Sequence, residues 1–248
     1  MKVKDKLACF SGRAGFYARY RPGYPDSVVA YLKKKAGWAP EAVVADIGAG
    51  TGISCELFLR HGNTVFGVEP NADMRAAATV PILDGTAEKT GLPSGAFDFV
   101  VAATAFHWFD VAVCRAEFRR ILRPGGKVVL LWNLHQAPEH PFVQACEELL
   151  TRYGSEGRYC WRAERHKVSM AAGKMLGASR RPRLLENSQR LDLEGLTGWI
   201  LSWSYAPLPG NERYEAMAAE IRAIFDRFAV GGFVEMKYQT ALYWGELA

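Results

Sequence analysis

The nine residues from Val44 to Gly52, Val-Ala-Asp-Ile-Gly-Ala-Gly-Thr-Gly, constrain this chain more than any other stretch. An apolar strand runs into a glycine turn and then into helix-forming sequence, a succession that belongs to parallel sheets covered by helices. Gly48, Gly50 and Gly52 fall on alternate positions. Glycine takes left-handed dihedrals and lets the backbone approach a ligand where a Cβ would collide. The spacing also narrows the ligand. A dinucleotide turn is spaced G-x-G-x-x-G and a phosphate loop ends in Gly-Lys-Ser/Thr, whereas this turn is G-x-G-x-G and Gly52 is followed by Ile53-Ser54. Asp46, just ahead of the turn, would repel a pyrophosphate and suits an ammonium group or another hydrogen-bond donor. The ligand end at this turn is therefore expected not to be anionic.

A second acid follows at the right distance. The segment from Asn63 to Pro70 reads as a short apolar strand ending in Glu69-Pro70, and an acid roughly 20 residues past such a turn holds ribose hydroxyls in doubly wound sheets. Alternating patterns continue, with strands expected near 42–47, 64–69, 80–83, 97–102 and 126–132 and helices over 25–35, 52–61, 71–78 and 111–122. Helical spacing returns at 142–153 and 212–228, and strand-like runs at 184–193 and 237–244. In open α/β sheets the ligand lies outside the carboxyl ends of the strands. That rule gathers Asp46, Glu69, Asp84, Ala103-Thr104 and Trp132-Asn133 on one rim, with His107 and Trp108 bordering the acceptor. Residues 133–183 are the best candidate for an inserted cap. The late aromatics Trp199, Trp203, Tyr205, Phe225, Phe228 and Phe233 are assigned to the core.

With the turn in place, four further segments carry a resemblance to class I S-adenosylmethionine-dependent methyltransferases: Asp84-Gly85-Thr86-Ala87-Glu88, then 92–101, the helix end and glycine turn at 120–130, and Ala105-Phe106-His107-Trp108-Phe109-Asp110. With Phe16 to Pro25 added, the chain resembles the small-molecule branch that includes trans-aconitate methyltransferase-like proteins. The likeness is strongest over 10–132. It implies an α/β, doubly wound Rossmann-like fold with a seven-stranded sheet, parallel but for an antiparallel last strand, flanked by helices and a small helical cap. It also implies S-adenosylmethionine as cofactor. Gly48, Ala49, Gly50 and Gly52 would lie along its methionine moiety with Asp46 beside the amino group, while Glu69 and Pro70 would border the ribose. Met74, Thr86 and Ala87 would border the adenine, and Ala103 would stand on the rim. Thr86 departs from the resemblance, because relatives commonly carry Asp there. An N-terminal lid and helix over 1–40 would bring Tyr17, Tyr20 and Arg21 to the substrate, beside His107 and Trp108. The tyrosines could face the sulfonium and Arg21 could hold a carboxylate, whereas Tyr24 is read as packing on the sheet rim. The catalytic group is left open. A carboxylate acceptor is already nucleophilic, and a hydroxyl acceptor would need a base such as His107.

Length and composition agree with a single 248-residue domain, 49% of it hydrophobic. No apolar run approaches the roughly 20 residues of a membrane span, and the charged start Met1 to Lys6 lacks a following apolar signal region. A cytoplasmic enzyme is expected, without a membrane partner. Cys9, Cys55, Cys114, Cys146 and Cys160 are far apart and form no metal-like cluster, so no metal is assigned and reduced thiols are expected. The net charge of +5 is uneven, with ten Lys and Arg against three Glu between 151 and 190. A solvated face or a lid for an acidic small molecule is the favoured reading, and a tRNA or rRNA acceptor is the alternative. A cofactor-binding module without turnover is the non-enzymatic alternative. Oligomeric state is not encoded in any of these patterns.

Overall fold

The strand that leads into the glycine turn, β1 (Val43–Ile47), is buried from Val44 onward, as an apolar strand is when helices cover both faces of a parallel sheet. In this computed structural model the described residues are 12–136, 140–155 and 161–247. Cys9, Arg158, Tyr159, Cys160, the side chain of Trp161 and the first eleven residues of the expected lid lie outside them. The remaining strands are β2 (Thr64–Val68), β3 (Ile82–Leu83), β4 (Phe97–Ala103), β5 (Leu122–His135), β6 (Arg181–Leu191) and β7 (Val234–Gly245). They form one sheet in the order β3-β2-β1-β4-β5-β7-β6. β7 runs antiparallel to both β5 and β6, and the other pairings are parallel. The order reverses between β1 and β4, which is the switch point where such sheets open a crevice.

The helices are α1 (Ala14–Tyr20), α2 (Ser27–Lys35), α3 (Ile53–Arg60), α4 (Ala72–Ala76), α5 (Val111–Ile121), α6 (Pro141–Tyr153), α7 (Trp161–Leu176), α8 (Leu193–Leu201) and α9 (Tyr214–Phe228). The period of two along β5 divides the core. Val128, Leu130, Trp132 and Leu134 pack with Phe118 and Ile121 of α5 and with Val168, Ala172 and Met175 of α7. Val129 and Leu131 face the other way, onto Val29 and Leu32 of α2, Trp38 and Phe58 of α3. A third cluster joins α6, α8 and α9 through Leu149, Leu196, Trp199 and Ile221 to Tyr238 of β7.

Two expectations change at this level. The stretch 133–183 does not act as one unit: it begins as the end of β5, α6 joins the α8–α9 layer, and α7 lies against the sheet. β5 starts at Leu122 rather than at Gly126, because Leu122 pairs with Phe97 before the Arg123 to Gly126 turn shifts the register and Lys127 pairs with Phe99.

Candidate functional site

The glycine turn is a backbone conformation that only glycine accepts cheaply. Gly48, Gly50 and Gly52 have φ of 70°, 58° and 87°. A Cβ on Gly48 would stand 2.6 Å from Ala105 Cβ, and one on Gly52 would stand 2.8 Å from Val80 Cγ2. Four amides of this turn are already spent. Gly48 N and Ala49 N donate to Val68 O at 2.8 and 3.0 Å, Gly52 N donates to Ala49 O at 2.9 Å, and Gly50 N donates to the Glu69 carboxylate at 3.1 Å. A pyrophosphate needs such amides unpaired and aimed outward, so the turn does not offer the usual anion cradle.

Two buried acids flank it. Glu69 is 9% exposed; its second oxygen accepts from Asn71 N at 2.9 Å. Burial raises its pKa, with the two backbone donors opposing the rise. Asp46 is fully buried behind the turn. Its Oδ2 accepts from the Ser54 hydroxyl at 2.5 Å and the Cys55 thiol at 3.2 Å, while Oδ1 has no hydrogen-bond partner. Burial pushes its carboxyl up to about 6. A buried carboxylate oxygen without a donor is a costly feature unless a ligand supplies one.

A cavity of about 980 Å³ opens in front of these groups. Its wall brings together Gly48, Ala49, Gly50, Glu69, Pro70 and Met74 from the turn side, Thr86 and Ala87 from the loop after β3, Ala103 from the end of β4, and His107 and Trp108 from the turn that follows it. Tyr17 and Arg21 line it from the N-terminal segment. Asp46 and Gly52 lie behind the wall, with Ser54 and Ile53 in front. Tyr20 is placed elsewhere: its hydroxyl donates to Glu194 at 2.7 Å, and its ring lies flat on Gly198, where no Cβ could fit. Asp84, expected on the rim, instead pairs with Arg75 at 2.9 Å. Thr86 Oγ1 accepts from Lys89 N at 3.1 Å, which closes its own turn.

Residues 12–24 form a strap over the cavity. Arg13 donates to the carbonyls of Leu201, Trp203 and Ala206 at 3.2, 2.6 and 3.0 Å, and Gln189 donates to Tyr20 O at 2.9 Å. At its far end the Tyr24 hydroxyl meets Thr104 Oγ1 at 2.8 Å. Thr104 has φ of 56° and is the non-glycine residue at positive φ among those described, a conformation costing a β-branched residue roughly 1–3 kcal/mol. It turns β4 into the single 3-10 turn Phe106–Trp108 and so sets Ala105 against Gly48. Tyr24, read as a packing residue, therefore belongs to the cavity wall.

The late aromatics divide. Trp199, Trp203 and Tyr205 line the cavity, joined by His135 and Tyr238. Phe225 and Phe228 pack against the α6–α8–α9 cluster as expected of core residues. Phe233 is 40% exposed with the Arg190 guanidinium 4.4 Å from its ring, so its core assignment is corrected: it stands in the exposed turn between α9 and β7. Burial, reinforced by Arg21, drives the His135 imidazole down to about 3, so it is neutral at physiological pH. The exposed His107 ring sits 4.7 Å from Trp132 at the cavity rim. The three described cysteines, Cys55, Cys114 and Cys146, are free and buried. Among the described residues no helix is long and apolar enough to cross a membrane, and no group of three or more His, Cys, Asp or Glu could hold a metal.

The turn and its two acids fit a ligand with a cationic or donor-bearing end and a diol. Residues 45–130 match the family model described as a methyltransferase domain. The chain is 38% identical to an uncharacterized methyltransferase of Mycobacterium tuberculosis over 136 residues, 52% of this chain and 54% of that protein. It is 33% identical to an uncharacterized methyltransferase of Geobacillus kaustophilus over 150 residues, 56% of this chain and 67% of that one. The match thus spans about half the length of the mycobacterial relative. A solved structure from Anaeromyxobacter dehalogenans, provisionally assigned as a type II methyltransferase, shares the fold with a TM-score of 0.65 at 24% identity, over 92% of this chain and 98% of that one.

Proposed function

The chain belongs to the class I S-adenosylmethionine-dependent methyltransferases, and from that premise we propose that it transfers a methyl group from S-adenosylmethionine to a small acidic or hydroxylated metabolite. The observation that carries the reading is the glycine turn with spent amides between two buried acids. The Asp46 carboxylate favours the ammonium end of the methionine moiety through its charge, and the Ser54 hydroxyl that donates to its Oδ2 stands at the wall between them. Glu69, fixed by two backbone donors, keeps its remaining lone pairs for ribose hydroxyls. Met74 and the Thr86-Ala87 backbone border the adenine, and Ala103, with Thr104 after it, closes the floor.

When bound, S-adenosylmethionine supplies an electrophilic methyl carbon. Ser54, Glu69 and Met74 would hold it, and it would supply the methyl group taken up by the acceptor's lone pair, with S-adenosylhomocysteine as the other product. The contribution of the chain is alignment and exclusion of water, and placing reacting atoms in near-attack geometry is worth on the order of 7–11 kcal/mol. The strap and the His107-Trp108 turn supply the walls for that alignment. A carboxylate acceptor loses no proton. A hydroxyl acceptor would deliver its proton to His107 at the rim and from there to solvent, since His135 is too weak a base.

The likeness of the N-terminal and 105–110 segments to trans-aconitate methyltransferase-like proteins supports a small-molecule acceptor. The basic stretch gives a nucleic-acid acceptor little support, because three of its described arginines are engaged within the fold: Arg152 with Glu220, Arg165 with Gln239, Arg180 with Ser169 O. Three buried thiols suit a reducing, cytoplasmic setting. Calorimetric titration with S-adenosylmethionine, S-adenosylhomocysteine and NAD tests the cofactor, and tighter binding of NAD would refute the reading. S-adenosylhomocysteine release across a panel of small acids and phenols tests turnover. Release only with tRNA or rRNA would refute the small-molecule acceptor, and binding without release on any acceptor would leave a cofactor-binding module.

A further inference from the structure

The cavity extends beyond the space bordered by the glycine turn. At its far end five rings from β5, β7, α8 and the segment after α8 form a continuous run. Tyr238 lies 5.1 Å from His135, His135 lies 5.9 Å from Trp199 at 88°, Trp199 lies 5.6 Å from Trp203 at 80°, and Trp203 lies 5.7 Å from Tyr205. All five border the cavity. Ring centroids 4.5–7 Å apart, tilted or edge to face, are the spacing at which aromatic groups attract one another, and a flat ligand entering the run continues the same packing.

The charges at this end are one-sided. Arg21 sits 4.0 Å over the Trp203 ring and 5.2 Å from that of Tyr17, so one face of Trp203 already holds a guanidinium and a ligand cation beside it would meet a like charge. Arg21 is also the charged group acting on both His135 and Tyr238. Its Nε is buried without a partner, and among the described residues no carboxylate pairs with it. The acids of the cavity wall, Glu69, Glu88 and Asp110, come from the end of β2, the turn at Thr86 and the N-cap of α5 rather than from the five rings, and Lys167 is the other cation on the wall; Glu69 accepts from Gly50 N and Glu88 accepts from Asp110 N. His135 stays neutral here and adds no charge of its own.

We propose that this aromatic chamber is the acceptor subsite and that it takes a flat aromatic or conjugated acceptor bearing no positive charge, to the exclusion of amines and of saturated aliphatic acids. The inference rests on the methyltransferase reading, because the chamber is assigned to the acceptor only if the glycine turn holds the methyl donor. It narrows the acceptor from any small acid or alcohol to one with a planar face.

The test is titration of the full chain, saturated with S-adenosylhomocysteine, against four probes followed by calorimetry or tryptophan quenching. The probes are 2-naphthol, 2-naphthoate, cyclohexanecarboxylate and 2-naphthylmethylamine. Both flat, non-cationic probes should bind about tenfold or more tightly than the saturated acid, the ratio that two ring contacts would supply, and about tenfold or more tightly than the amine, whose ammonium would meet the like charge of the Arg21 guanidinium over Trp203. Trp203→Leu should remove that preference while S-adenosylhomocysteine affinity stays within about twofold. Equal binding of cyclohexanecarboxylate, or of the amine, overturns the proposal, as does an unchanged preference in a folded Trp203→Leu chain. If S-adenosylhomocysteine itself fails to bind, the methyltransferase reading has failed and the chamber loses its assignment to the acceptor. If it binds and the probes do not discriminate, the proposal alone has failed.

Discussion

Titration of Asp46 offers a quantitative test of the carboxylate beneath the glycine turn. Burial moves its pKa from 3.8 to about 6, against the opposing hydrogen bonds from Ser54 and Cys55. The side chain is fully buried, so solvent screening removes little of that shift. Two units correspond to about 3 kcal/mol, at roughly 1.36 kcal/mol per unit. An acid whose pKa is raised by folding favours the folded state fully below its unfolded value. That contribution is lost as pH rises from 3.8 through about 6, because the unfolded chain ionises first. Asp46→Asn abolishes the titration while keeping an oxygen for the Ser54 hydroxyl. The unfolding free energy of the wild-type chain minus that of the variant should therefore fall by about 2 kcal/mol between about pH 4.5 and pH 7, then level off. Urea unfolding read by tryptophan fluorescence across this range measures the difference, and subtraction cancels most groups common to both chains. A difference that does not change with pH would refute the reasoning, because Asp46 would then ionise like a solvated carboxyl.

Other perturbations probe the neighbouring parts. Gly48→Ala forces a Cβ to within 2.6 Å of Ala105 at φ of 70°; chemical denaturation should show a loss of about 2–4 kcal/mol, and S-adenosylhomocysteine binding should weaken more than tenfold. Tyr24→Phe leaves Thr104 Oγ1 without its partner, costing about 1–2 kcal/mol and speeding S-adenosylhomocysteine dissociation in stopped-flow; an unchanged off-rate would separate the strap from cofactor retention. Glu69→Gln should weaken S-adenosylmethionine binding by about 1.5–3 kcal/mol, the worth of a charge-assisted bond, with less effect on an analogue lacking the ribose hydroxyls.

The sheet and its turn are legible because their signals are local. The run from Val43 to Ile47 is apolar enough for a strand buried on both faces, and the glycines after it are needed at positive φ whatever packs above. Glu69 and Met74 follow from the same unit. The far wall is not local. Trp199 is both core and cavity wall, and a sequence shows that a tryptophan is buried without showing which of its edges meets empty space. Tyr20 and Tyr17 are three residues apart on α1, yet Tyr17 reaches the cavity and Tyr20 lies on Gly198 of α8, a choice made by a helix more than 170 residues away. His135 carries no motif. Its neutrality comes from burial and from Arg21, contributed by the opposite end of the chain. α7 has no strong apolar stripe in sequence, so nothing local marks it as a helix that covers the sheet rather than part of a cap.

The three carbonyls held by Arg13 lie 188 to 193 residues further along, and this separation dictates an order of biogenesis. The strap leaves the ribosome before these carbonyls, so Arg13 at first has no anchor to meet. At roughly 5–20 residues per second its anchors follow on the order of 10–40 s later, after β1 to β5 and the glycine turn have had time to pair. A nascent chain stopped before Leu193 would lack the Arg13 anchors, with the strap held by contacts such as Tyr24–Thr104 and Tyr20–Gln189. Roofing the cavity is then among the last events of folding, and cofactor present during synthesis meets an unroofed site before it meets a closed one.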